Sequence, residues 1–289
     1  MHTDIRPPEP IRVGACAAVR RAAMLTAVIW ITATWVTVVR AADANAAALA
    51  ASGAQAQRPD GAREDRWAAE VAPDVVVGNV VWLATASRPR VLAIYSEPTS
   101  RPARAAVIVV HGMGVNPDWG VVGVLRSVLP DDGFATLSVQ MPVLAADAPR
   151  SAYRALFPEA NERLDAAYAW LSARGYARIA VVSHSLGAAM TDAWLAAPHP
   201  SPIAAWVPVG MPVPFSRPPR EPVLDVVAEH DLADVVAAAP ARRAELVHVR
   251  CSRELRMPGA DHYFERGGRK LAAAIAAFLD EALAARCAY

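Results

Sequence analysis

Residues 178–182 are an arginine followed by a short run of β-branched and small apolar side chains that leads straight into Ser183-His184-Ser185-Leu186-Gly187 and then into Ala188-Ala189-Met190. The first part favours an extended strand and the alanine-rich part favours a helix. A strand that becomes a helix within one residue tolerates only small side chains at the flanks of the turn, because backbone closes on backbone. Ser185 stands at the middle of that turn. Its hydroxyl is expected to project off the carboxyl edge of a sheet, beside the N–H of Leu186, which as the first helical residue has no partner within the helix.

The rest of the chain supplies the sheet that such a turn needs. Residues 75–77, 79–84 and 90–96 are Val/Ile/Tyr-rich runs bounded by Gly and Pro, and predict an antiparallel start. Strand then alternates with helix: residues 106–110, 135–139, 203–207, 222–228 and 247–251 read as further strands. The spacing of apolar residues predicts helices over 118–129, 161–174, 234–246 with a break or bend at Pro240, and 270–285. This alternation implies an α/β architecture, a mostly parallel central sheet with helices on both faces.

The N-terminus is of another kind. Arg6, Arg12, Arg20 and Arg21 precede an uncharged apolar run over residues 22–39, followed by Arg40 and Ala42-Asp43-Ala44. A positive start, an apolar middle and an Ala-x-Ala site predict a signal peptide over residues 1–44 and an exported protein, periplasmic or secreted. The alternative is an uncleaved anchor in the inner membrane facing the periplasm, with membrane association through residues 22–39. Residues 45–73, rich in Ala, Arg and Asp without apolar periodicity, are expected to be a poorly ordered linker, which leaves 74–289 for the folded domain. Cys251 and Cys287 remain beyond the leader, and could pair in an oxidising compartment or stay as buried thiols. With 29 basic and 28 acidic residues, the net charge of +1 gives no electrostatic reason to expect nucleic acid as a partner. No Cys/His spacing matches a zinc site, and neither a metal nor an organic cofactor is expected.

A serine hydroxyl becomes a nucleophile when a base takes its proton and an acid orients that base. On a sheet of this kind the order along the chain is Ser, then Asp or Glu, then His. Among seven histidines, His262 alone is expected after the last strand and before the closing helix, with His230 as its rival. Asp231, just after the strand over 222–228, is the expected acid, with Asp234 and Glu229 as fallbacks and an N-cap as its structural alternative. His111-Gly112-Met113-Gly114 follows a central strand, where the Met113 N–H would join that of Leu186 in binding an oxyanion. His111 itself is expected to be structural.

His111-Gly112-Met113-Gly114-Val115-Asn116-Pro117-Asp118-Trp119, Leu137-Ser138-Val139-Gln140-Met141-Pro142 and Ser183-His184-Ser185-Leu186-Gly187 together resemble the α/β-hydrolase superfamily, and within it an exported bacterial α/β-hydrolase-like family of largely uncharacterised function. The resemblance runs from about Val75 to the C-terminus. It implies a catalytic triad of Ser185, Asp231 and His262, an oxyanion hole at Met113 and Leu186, and cleavage of an ester or similar acyl bond in a small-molecule or lipid-like substrate through an acyl-enzyme. Ser183 departs from the superfamily's usual glycine. A silent fold used for binding or scaffolding in the cell envelope, or acyl transfer to another acceptor, are the competing readings. The link between residues 207 and 222 is only about a dozen residues long, so no large cap domain is expected. Trp119, Tyr153 and Phe157 are the candidate substrate-binding residues, the last two on the segment over 141–158.

Overall fold

The computed structural model describes residues 58–99, 103–198, 201–284 and 287. The leader expected over residues 1–44, with the run over 22–39, lies outside the described residues. In chain order the elements are α1 (Gly61–Val71), β1 (Asn79–Leu83), β2 (Val91–Ser96), β3 (Ala105–Val110), α2 (Gly120–Val128), β4 (Phe134–Val139), α3 (Phe157–Ser172), β5 (Ile179–His184), α4 (Leu186–Ala196), β6 (Ala205–Val209), β7 (Leu224–His230), α5 (Ala233–Leu246), β8 (Arg253–Asp261) and α6 (Gly268–Ala282).

The eight strands form one sheet in the order β1-β2-β4-β3-β5-β6-β7-β8. β2 runs antiparallel to β1 and β4, and every pairing from β4 to β8 is parallel. Residues of β3 are buried throughout, as a strand covered on both faces must be. Successive residues serve opposite layers: Ala106, Ile108 and Val110 pack with Leu164, Leu171 and Trp194 of α3 and α4, while Ala105, Val107 and Val109 pack with Leu125 of α2 and Leu271, Ile275 and Phe278 of α6. This is an α/β-hydrolase fold without a large cap. The segment over 141–158 closes inward instead, and Tyr153 and Leu156 join the core.

Three expectations need correction. The supposed linker carries α1 and a 3-10 turn over Ala72–Asp74. The helix starts at Asp60, whose carboxylate accepts the Arg63 N–H at 2.9 Å. It docks largely through charge: buried Glu64 pairs with buried Arg163 at 2.9 Å, a contact that apolar periodicity does not register. Residues 75–77 are no strand; Val76 is 92% exposed. The last strand is not 247–251, which is a turn with exposed Val247 and Cys251 at φ 60°. The true strand β8 reads Arg-Glu-Leu-Arg-Met-Pro, as suits a charged edge. Of the break or bend expected at Pro240, no break occurs: α5 continues from Ala233 to Leu246 with Pro240 inside it.

Candidate active site

At the carboxyl edge of β5 the chain turns so sharply that Ser185 adopts φ 54° and ψ −122°. Its own N–H donates to the Val209 carbonyl of β6 at 2.8 Å, which locks the turn onto the neighbouring strand. Gly187 is required because a Cβ there would collide with the His111 carbonyl. At Gly112 a Cβ would come within 3.2 Å of the Ser185 Cβ, so the loop after β3 lies directly against the turn. Ser183 is buried, and its hydroxyl accepts the indole N–H of Trp206 at 2.9 Å. That bond accounts for a hydroxyl where a glycine is usual: a buried indole N–H needs an acceptor.

His262 follows β8 directly. Its Nε2 lies 2.9 Å from the Ser185 Oγ, and its Nδ1 lies 2.6 Å from the Asp231 Oδ1. Asp231 follows β7, and its side chain is fully buried. Its Oδ2 accepts the Ala228 N–H at 3.0 Å and its Oδ1 accepts the Leu232 N–H at 2.9 Å. Burial works to raise the Asp231 pKa, but the bond from His262 and the N–H bonds from Ala228 and Leu232 outweigh it and hold the carboxyl below its ordinary value. An anionic Asp231 fixes the His262 tautomer with Nδ1–H toward the carboxylate and Nε2 free to accept from Ser185.

Two supports of His262 are invisible to a motif search. The His184 Nε2 donates to the His262 carbonyl at 2.8 Å. Burial keeps His184 neutral, with its pKa pushed down to about 4. Gly210, at the end of β6 with φ +62°, passes so close that a Cβ would sit 3.0 Å from the imidazole. The only sequence signal for it is a glycine directly after a strand. His111 is equally buried: its Nδ1 donates to the Gly112 carbonyl and its Nε2 accepts the Met141 N–H, both at 2.8 Å. Its pKa is likewise lowered to about 4 by burial.

A cleft of about 90 Å³ opens over the serine, lined by Gly112, Met113, Trp119, Leu186, Leu232 and Tyr263 among others. Met113 and Leu186 therefore line the same cleft as Ser185, and Leu186 opens α4. Trp119 stands on the rim, edge to face with Tyr263 at 6.1 Å. Tyr153 and Phe157 do not line the cleft. Tyr153, on the turn over Arg150–Leu156, points inward and is 3% exposed in the core, and Phe157 packs against the same cluster at the start of α3. His230, Glu229 and Asp234 stay outside the relay; Glu229 accepts the Gly259 N–H at 2.7 Å and Asp234 pairs with Arg150 at 2.8 Å. A wider cavity of about 790 Å³ opens at the amino edge of the sheet, beside Ile203 and Leu283, and touches no member of the relay. Among the described residues no group of three His, Cys, Asp or Glu is placed to hold a metal ion.

Residues 21–162 match the model of a family described as protein of unknown function DUF3530. No curated protein matches the chain by sequence. Among solved structures it is similar to Est1E from Butyrivibrio proteoclasticus, with a TM-score of 0.55 at 15% identity over 71% of this chain and 98% of that one. Dienelactone hydrolase from Anabaena variabilis gives a TM-score of 0.55 at 20% identity, covering 70% and 96%. XC6422 from Xanthomonas campestris, described as an α/β serine hydrolase without lid, gives 0.52 at 17% identity, covering 71% and 95%. In strand order, connection and likeness to these structures, the chain has the fold of the α/β-hydrolase superfamily.

Proposed function

We propose that this protein is a serine hydrolase that cleaves an ester or similar acyl bond through an acyl-enzyme. The observation that carries this reading is the unbroken relay from the Ser185 Oγ through both His262 nitrogens to Asp231, with steps of 2.9 and 2.6 Å. Ser185 gives its proton to the His262 Nε2 as Oγ bonds to the acyl carbon. The carbonyl oxygen gains charge facing the N–H groups of Leu186 and Met113, each such donor being worth roughly 3 kcal/mol in acyl transfer. The imidazolium, held by Asp231, then protonates the departing alcohol oxygen. Water repeats the sequence with His262 as base, and the carboxylic acid leaves with Ser185 restored. The Ser185 proton leaves on the alcohol and one from water replaces it, so ester and water become alcohol and acid with the enzyme unchanged.

A cleft of about 90 Å³ holds an acyl group of a few carbons, while the exposed Trp119 and Tyr263 offer an apolar shelf for the rest of the substrate. A small-molecule ester or the headgroup end of a lipid-like one suits that shape. An exported location is part of the proposal. The pairing of Cys251 with Cys287 supports it, since disulfides persist in oxidising compartments.

A fluorophosphonate probe is expected to label the wild type and not Ser185→Ala. Turnover of short p-nitrophenyl esters is expected to vanish in Ser185→Ala and His262→Ala, and to fall about 10³-fold or more in Asp231→Asn. A folded wild type that neither labels nor turns over refutes the reading. N-terminal sequencing of the periplasmic fraction, expected to begin after Ala44, checks the location.

A further inference from the structure

Helix α1 lies before the sheet in sequence, yet it grips the loop that borders the Ser185 cleft. The Arg63 Nη2 donates to the Gly114 carbonyl at 3.0 Å and its Nη1 donates to the Leu144 carbonyl at 2.8 Å. The same fork thus joins two segments that follow β3 and β4. At its other end the loop is held to the second of these segments as well, through the bond from the Met141 N–H to the His111 ring at 2.8 Å. The α1 cap and a residue within α1 fasten the second segment in turn: the Asp60 N–H donates to the Val143 carbonyl at 2.7 Å, and the Glu64 carboxylate accepts the Val143 N–H at 3.3 Å. Tyr153 closes the arrangement, its hydroxyl 3.5 Å from where a Cβ on Gly114 would stand.

We propose that Arg63 is a positioning residue for the oxyanion hole, its guanidinium fixing the loop that presents the Met113 N–H to the carbonyl attacked by Ser185. This rests on the serine-hydrolase reading above. Glycines on both sides of Met113, one of them at φ +70°, leave the loop with more backbone freedom than side chains would allow, so contacts from outside must set its shape. A planar guanidinium meets that need because its donors lie in a rigid fork, and two carbonyls engaged at once fix an orientation as well as a distance. The guanidinium is itself steadied, its central carbon 4.5 Å from the centre of the Trp67 ring. Displacing an oxyanion donor by about 1 Å costs on the order of 100-fold in rate. The gain falls on the transition state, where the charge develops, and not on the ground state.

The test uses the full chain with Arg63→Met, Arg63→Lys and Arg88→Met. The last loosens the same helix, because Arg88 pairs with Glu64 and Asp65 and donates to the Gly61 carbonyl without reaching the loop. Rates are normalised to competent serine by fluorophosphonate titration. Arg63→Met is expected to lower kcat about 10- to 100-fold with KM changed by less than about 2-fold. Affinity for a trifluoromethyl ketone, whose adduct carries the oxyanion, is expected to fall by a similar factor. Arg63→Lys is expected to recover part of both. Amide exchange in a peptide covering 111–119 is expected to speed up in Arg63→Met and not in Arg88→Met. Unchanged kcat, or the same kinetic and exchange pattern in Arg88→Met, overturns the proposal and leaves Arg63 as an anchor of α1. If the wild type shows neither turnover nor labelling, the hydrolase reading fails on its own, and the exchange of 111–119 still decides whether Arg63 holds the loop.

Discussion

A non-glycine residue at φ 54° stores on the order of 1 to 3 kcal/mol, and Ser185 keeps that conformation because its surroundings over-determine it. His184, one residue earlier, shows how. Its ring is buried against His262 and donates to the His262 carbonyl, so the Ser185 turn and the imidazole facing it are one hydrogen-bonded unit. This has a pH signature. The folded pKa near 4 lies below the ordinary 6.5, so the unfolded chain takes up a proton first as pH falls, and stability from His184 is full above 6.5 and is lost on the way down to 4. His184→Asn has no such proton to bind. The stability advantage of the wild type over this variant, measured by chemical denaturation, is therefore expected to shrink by about 3 kcal/mol between pH 7 and pH 4. A constant advantage across that range would show that His184 is not buried neutral. Comparing the two chains cancels the opposite contribution of Asp225, whose pKa is raised to about 6 by burial despite its bond to Arg242.

Elements differ in how plainly the sequence announces them. The central strands and α3 and α6 carry continuous or helical apolar patterns, and the observed bounds fall within about four residues of those expected. Ser185 and Asp231 come together near the ends of strands the sequence names, and His262 was found by its place before the closing helix although the strand preceding it was expected in the wrong place. What escaped was held by charge or by long-range pairing. β8 hides behind Arg253, Glu254 and Arg256 because it borders solvent at the sheet edge, and α1 hides because its inner face is Glu64 and not leucine. Gly210 and Arg63 act through residues far away in the chain, and nothing local to them marks that. The charged docking of α1 also sets its energetics. Arg163 is fully buried and faces Glu64, Glu159 and the Gln140 carbonyl. Burial raises the Glu64 pKa, partly offset by Arg163. Removing Glu64 leaves the buried Arg163 with Glu159 as its remaining carboxylate and two guanidinium hydrogen bonds unmade, and Glu64→Ala is expected to cost about 3 kcal/mol in denaturant titration. Replacing both Glu64 and Arg163 by methionine is expected to cost clearly less than that single change. Equal losses in the two variants would mean that the pair contributes packing alone.

Across the molecule, chemistry and stapling occupy opposite ends of one strand. β8 spans Arg253–Asp261, nine residues or about 30 Å. His262 leaves its carboxyl end toward Ser185, and Cys251 stands just before its amino end, bonded to Cys287 beyond α6 with a Cα separation of 6.1 Å. The bridge closes a sequence separation of 36 residues. A loop of that length removes enough freedom from the unfolded chain to stabilise the fold by about 4 kcal/mol in the chain-entropy account. It also pins the end of α6, whose Leu271, Ile275 and Phe278 cover one face of the sheet. For a domain of this size each kcal/mol corresponds to about 2 to 4 °C in Tm. Changing Cys251 and Cys287 together to serine is expected to lower Tm by about 10 °C, measured by scanning calorimetry without reductant. Ester turnover at 25 °C is expected to stay within about twofold of the wild type, since the far end of the strand holds none of the reacting groups. A reductant should reproduce the Tm shift in the wild type and leave the double variant unmoved. If instead the wild type ignores reductant, the two thiols do not pair in the protein, and the support they lend to an oxidising location is withdrawn.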